Sequence, residues 1–194
     1  SRFCVTVGQN NSTDINVIGV AYVATSPDPL AVAPAWSGAQ IALEDRSYSP
    51  PLTGVACANQ SLCVAGSAVY ALEVSSNPLA GAAAWHQVDV GNPAIAADSF
   101  PSISCPSRSL CLAVDQSRGS VVFSTRPTAG FRGWRFRHLV AARRSLLGIS
   151  CPSRSFCAAV DGAGDVFFTT TPTGRARAWH VTHIDRYRLT GISC

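Results

Sequence analysis

Ile103-Ser-Cys-Pro-Ser-Arg-Ser-Leu-Cys111 and Ile149-Ser-Cys-Pro-Ser-Arg-Ser-Phe-Cys157 are nearly one text written twice, and Gly191-Ile-Ser-Cys194 begins a further copy. Cys57 and Cys63 repeat the same cysteine spacing earlier in the chain, and the first cysteines follow one another at 48, 46 and 43 residues. Working outward, a Pro precedes a Trp by seven positions four times: Pro29 and Trp36, Pro78 and Trp85, Pro127 and Trp134, Pro172 and Trp179. A small hydroxyl residue stands three positions before each Pro, as Ser26, Ser75, Ser124 and Thr169. These landmarks share one phase, so the chain is an array of one structural unit.

Within a unit the residues read as four short strands. In the last one these are Gly148 to Cys151, Phe156 to Val160, Asp165 to Thr170 and Trp179 to Ile184, with Asp161-Gly-Ala-Gly164 as a hairpin turn. Apolar residues never recur at helical spacing over a useful window, and Pro or Gly interrupts most candidates. A period of this length with this content predicts an all-β chain, a single β-propeller domain over 1–194 made of four four-stranded blade repeats. The repeats run approximately 1–56, 57–104, 105–150 and 151–194. The first carries about ten extra residues within Gly8 to Gly19, because Cys4 lies 22 positions from Ser26 where the other units have 12 or 13. A blade has two faces to cover, so a Trp that recurs in each unit is expected to pack between blades.

The chain holds 47% hydrophobic residues, contains no Met and takes all of its fixed positive charge from Arg. No apolar run approaches the ~20 residues needed to cross a bilayer, and the start lacks a signal-peptide pattern. We read the chain as a mature or excised segment of an exported protein, with no membrane insertion. The net charge of +4 conceals an asymmetry: residues 1–100 carry two Arg against seven acids, and residues 101–194 carry thirteen against four. The second half could face an anionic partner.

Eight Cys in an exported chain imply a disulfide framework, with bridges Cys57–Cys63, Cys105–Cys111 and Cys151–Cys157 across facing strands at a Cα separation of ~5.5 Å. Zinc is the rival, but five intervening residues with scattered His86, His138, His180 and His183 fit its spacing rules poorly. No metal site and no cofactor are expected. A bridge closing so short a loop is worth only ~2 kcal/mol, so its role is local rigidity.

Cys105-Pro-Ser, Ala113-Val-Asp115 and Ser124-Thr-Arg-Pro127, with their counterparts in the fourth unit, resemble secreted bacterial β-propeller repeat proteins with a Ser-Cys-Pro-Ser loop and paired Cys in each blade. More distantly, Ser-Thr-x-Pro leading to Trp is similar to the Asp-box turn of sialidase-like propellers, without that motif's Asp and Gly. The resemblance implies export, a propeller fold and surface binding, in a secreted or cell-surface bacterial protein.

Two functional readings follow. In the first, the chain is a noncatalytic extracellular scaffold that recognises a surface glycan, an anionic wall polymer or a protein. Its candidate ligand-binding residues are Arg126, Arg132, Arg135, Arg137, Arg143, Arg144, Arg175 and Arg177, then Arg186 and Arg188, with Asp14 and Asn16 in the inserted loop. The second is a glycoside-processing enzyme of sialidase or lyase type, which needs a carboxylate pair or a Tyr and Glu with clustered Arg. Only Glu44 and Glu73 are available as Glu, and Asp115 and Asp161 occupy equivalent turn positions. No catalytic residue is assigned, and a nucleic-acid partner is disfavoured. Finally, Ser1 to Cys4 matches the second strand of a unit and Gly191 to Cys194 the first. If four blades close, 191–194 completes the first blade and a fourth bridge joins Cys4 to Cys194; otherwise the chain is a segment of a larger propeller.

Overall fold

The structure is a computed structural model that describes residues 3–9, 21–41, 51–68, 71–90, 99–139 and 145–194. Alternating short apolar runs and turn residues produce fifteen strands among these residues, in four antiparallel sheets that follow chain order. The first sheet holds β1 (Cys4–Gln9), β2 (Ala21–Ser26) and β3 (Ser37–Gln40). The second holds β4 (Leu52–Asn59), β5 (Leu62–Ser67), β6 (Ala71–Ser75) and β7 (Trp85–Asp89). The third holds β8 (Ser102–Ser107), β9 (Leu110–Asp115), β10 (Ser120–Ser124) and β11 (Trp134–His138). The fourth holds β12 (Leu146–Ser153), β13 (Phe156–Asp161), β14 (Asp165–Thr169) and β15 (His180–His183). Among the described residues the first sheet therefore holds three strands, whereas each of the other three holds four and forms a complete blade.

The recurring residues of the sequence form a single row across each blade. Cys111 faces Ser124, and Ser124 faces Trp134; Cys63, Ser75 and Trp85 repeat the row one blade earlier. The hydroxyl shapes the next turn: Ser75 Oγ accepts the Asn77 amide at 3.1 Å, Ser124 Oγ the Arg126 amide at 3.0 Å, and Thr169 Oγ1 the Thr171 amide at 3.0 Å. The Pro-to-Trp interval has its own bond in the third blade, where the Trp134 indole donates to the Pro127 carbonyl at 3.3 Å. At the far end of the strands Asp115 and Asp161 are buried turn acceptors, as their placement beside hairpins implied. Asp115 Oδ1 accepts from Ser117, and Asp161 Oδ1 from both Ala163 and Asp165, each at 2.9 Å. Gly164 in that turn has φ +87, and a Cβ there would lie 1.4 Å from the Asp185 carbonyl oxygen, so only glycine fits.

Three core clusters lie between the four sheets. Trp85 packs with Val23 and Ile41 of the first blade, Trp134 with Leu72 and Val88 of the second, and Trp179 with Leu112 and Val121 of the third. Each of these Trp residues therefore covers the preceding blade, and burying its ~150–250 Å² stabilises the joint by roughly 4–6 kcal/mol as an upper estimate. First strands of successive blades also lie side by side. Ser102 Oγ accepts the Ile149 amide at 3.1 Å and Ser104 Oγ the Cys151 amide at 3.0 Å. Gly54 and Gly148 sit at this seam because a Cβ would come within 2.8 Å of the Pro101 carbonyl oxygen and 2.9 Å of Gly191 Cα.

The three local bridges are formed, with Cα atoms 4.0 to 4.1 Å apart, closer than the expected spacing. The cystines sit where each strand pair tightens into its turn, nearer to the ~4.5 Å of a non-hydrogen-bonded pair than to ~5.5 Å. The fourth bridge is not formed: Cys4 and Cys194 are exposed free thiols. Instead of pairing with β1, the C-terminal segment lies along β12, its Cys194 amide donating to Ser150 Oγ at 3.1 Å.

Candidate functional site

Antiparallel order decides where loops fall. In each complete blade the turn between first and second strands and the turn between third and fourth lie at one end, beside the Cys–hydroxyl–Trp row. We call this end the cystine rim. In the third and fourth blades its loops carry Arg108, Arg126, Arg132, Arg154, Arg175 and Arg177, all exposed. Neither loop set, 105–111 with 124–134 or 151–157 with 169–179, contains an Asp or Glu. In these two blades the rim is therefore a positively charged surface whose loops hold no acid, whereas the equivalent loop of the first blade carries the exposed Asp28.

The local chemistry explains why these arginines point outward on a firm base. Inside each cystine loop the first Ser folds the chain: Ser107 Oγ accepts the Ser109 amide and Ser153 Oγ the Ser155 amide, both at 3.3 Å. Arg108 and Arg154 occupy the tips of those turns, and the disulfide holds both ends of each loop. In the second blade Asn59 Oδ1 makes the same turn by accepting the Ser61 amide at 2.9 Å, and the exposed tip is the neutral Gln60. A loop already fixed in shape loses little freedom when it meets a ligand.

The arginines named from sequence separate by position. Arg126, Arg132, Arg175 and Arg177 stand on the cystine rim. Arg135 and Arg137 lie on β11, the outer strand of the third blade; Arg137 is half-buried with its guanidinium 5.6 Å from the centre of the Phe123 ring. Arg186 and Arg188 follow β15 at the opposite end, near the Gly162–Gly164 turn. Arg143, Arg144, Asp14, Asn16 and Glu44 lie outside the described residues. Arg108 and Arg154 were missed by sequence reasoning because, being repeated, they passed as scaffold; strand parity would have found them.

Among the described residues the candidate acids stand apart from one another. Asp115 and Asp161 are buried in turns of different blades and hold backbone amides. Glu73 is buried within β6. Among the described residues no three His, Cys, Asp or Glu side chains gather as a metal ion would require. His138 and His183 occupy equivalent places, their Nδ1 atoms 2.7 Å from Ser120 Oγ and Asp165 Oδ1, and so act as strand-end ties.

No family model and no curated relative matches the chain. Solved structures do. U3-55K superposes with TM-score 0.65 at 11% identity, covering 96% of this chain and 57% of that one. The β-propeller domain of Cps50 (Swd1) from Myceliophteria thermophila gives 0.60 at 11%, covering 97% and 61%. YCF48 bound to D1 peptide gives 0.55 at 10%, covering 84% and 46%. The fold is a β-propeller, and the chain spans about half the length of these neighbours. Three disulfides place it in an oxidising, extracellular setting. No helix is long and apolar enough to cross a membrane among the described residues.

Proposed function

We propose that this chain is a noncatalytic extracellular binding propeller whose cystine rim holds an anionic wall or surface polymer, in a bacterial setting. The observation that carries the reading is the set of six exposed arginines on one rim with no acid in the loops that bear them. Guanidinium groups recognise carboxylate, phosphate and sulfate in a planar, bidentate manner, and several on one surface raise the local concentration of a polyanion. The cystines support the reading, since they preorganise two of the six. A peptide is the second reading, favoured by YCF48, which is bound to D1 peptide.

The test is retention on immobilised dextran sulfate, polyphosphate and poly-glutamate against neutral dextran, over a salt series. Retention on the anionic matrices should fall steeply as the Debye length shrinks from ~8 Å at physiological salt toward ~3 Å at 1 M. Equal retention on neutral dextran, or turnover of a synthetic glycoside, would overturn the proposal.

A further inference from the structure

The rim loops between third and fourth strands can be laid over one another from the Trp that closes each. Three positions before that Trp stand Ala33, Ala82 and Ala176 in the first, second and fourth blades, and Phe131 in the third. One position before it stand Ala35, Ala84 and Ala178, and Gly133 in the third. A scaffold that takes a methyl group at the first of these places in three blades has no need of a phenyl ring there. The ring is not used for packing either: Phe131 is 62% exposed and joins no core cluster among the described residues. An uncovered joint does not account for the exposure, since the third blade is packed on both sides. Trp134 and Val122 meet the second blade, and Leu112 and Phe123 meet the fourth. A single exposed aromatic is ordinary on a protein surface. Here it replaces a constant Ala, on the rim that carries the arginines.

The loop fixes the ring before any ligand arrives. The Arg126 amide donates to Ser124 Oγ at 3.0 Å, the Ala129 amide to the Arg126 carbonyl at 3.0 Å, and the Gly133 amide to the Gly130 carbonyl at 2.9 Å. Gly130 turns the chain at φ +65, and the Phe131 carbonyl accepts the Trp134 amide. Gly133 lets the two arms of the loop touch, because a Cβ there would lie 2.6 Å from the Arg126 carbonyl oxygen. One arm thus brings Arg126 and the other Arg132, whose guanidinium carbon lies 5.9 Å from the centre of the Phe131 ring. Both arginines are exposed, as are Thr125, Thr128 and Ala129, so the ring stands on a raised tip rather than in a cleft.

A flat ring on a raised tip suits a flat partner. An apolar peptide side chain gains most from a concave pocket. The face of a pyranose that carries its axial C–H bonds is flat, apolar and weakly positive, and it meets the negative face of an aromatic ring. A uronic acid adds a carboxylate at the edge of the same sugar ring, where a neighbouring guanidinium takes it through two parallel N–H···O bonds. On the premise that the rim is a polyanion site, we infer that Phe131 is a stacking platform for a sugar ring and that Arg132, with Arg126 on the facing arm, holds that sugar's carboxylate. The rim's polymer is then an acidic polysaccharide built on uronic acid. Polyphosphate and poly-glutamate satisfy the arginines alone, whereas a polyuronate satisfies the arginines and the ring.

The experiment titrates the whole chain and its Phe131→Ala and Phe131→Trp variants with polygalacturonate, poly-glutamate and polyphosphate of matched charge at one ionic strength. Ala is the residue that the other three blades carry at this place, so the fold tolerates it. Phe131→Ala should lose about tenfold in affinity for polygalacturonate and stay within about twofold of the parent for the other two polymers. Phe131→Trp should bind polygalacturonate at least as well as the parent. In proton NMR spectra the sugar C–H signals should move upfield on binding the parent and stay in place with the alanine variant. Equal losses on all three polymers, no loss on any, or a larger loss on poly-glutamate, which would mark a peptide site, would each overturn the inference. A parent that holds polyphosphate but not polygalacturonate overturns it as well and leaves the rim's polyanion reading intact. A parent that holds none of the three removes both.

Discussion

The first and third blades carry the same row of Cys, hydroxyl and Trp, yet in one the row is half in water and in the other it is core. Cys4, Ser26 and Trp36 have the residues and the register of Cys111, Ser124 and Trp134. What differs is the neighbour: Trp134 packs on the second blade, whereas Trp36 is 49% exposed and joins no core cluster among the described residues. The lesson is that these landmarks encode a joint rather than a blade, and their energetic worth depends on the sheet they meet.

The largest expected divergence is at the Trp. Trp134→Ala should cost about 3–5 kcal/mol by loss of buried surface and creation of a cavity. Trp36→Ala should cost under about 1 kcal/mol, because Trp36 is already 49% exposed. Urea midpoints at constant m-value decide it, and equal losses would remove the distinction between the blades.

Next come the cysteines. Replacing Cys105 and Cys111 by Ala should lower stability by roughly 2 kcal/mol, the entropy of a six-residue loop, and should also weaken polyanion binding because the Arg108 tip loses its fixed shape. Cys4→Ala, which breaks no disulfide, should leave stability unchanged. Chemical denaturation with a parallel binding isotherm separates the two.

The smallest effect belongs to the hydroxyls. Ser124→Ala removes the bond to the Arg126 amide and should cost about 1 kcal/mol. Ser26 Oγ is buried without a hydrogen-bond partner, so Ser26→Ala should be neutral or slightly stabilising. Thermal midpoints moving together would contradict the comparison.

The blades were legible in sequence because backbone necessities wrote them: a hydroxyl to close a turn, an Asp to hold hairpin amides, a Gly where strands touch, and a Trp to fill a joint. The bridges were legible for the same reason, as paired positions of one hairpin. That Gly191–Cys194 lies along β12 rather than beside β1 could not be read from Cys4 and Cys194. That depends on the small rotation at each joint, which many side-chain volumes set together and no single residue announces. The rim was half legible. Charge alone selected Arg126, Arg132, Arg175 and Arg177, and with them Arg186 and Arg188, which the strand order sends to the opposite end. Arg108 and Arg154 were hidden by their own repetition.

That division between ends provides the most direct test of the central claim. Two charge-matched variants, Arg108→Ser with Arg154→Ser on the cystine rim and Arg186→Ser with Arg188→Ser at the far end, should be titrated with polyphosphate at fixed ionic strength. Each loses two positive charges, so a field effect alone would weaken both equally. The account predicts that the rim variant loses at least about tenfold in affinity, ~1.4 kcal/mol or more, while the far-end variant stays within about twofold of the parent. Equal losses, or a larger loss at the far end, would contradict it.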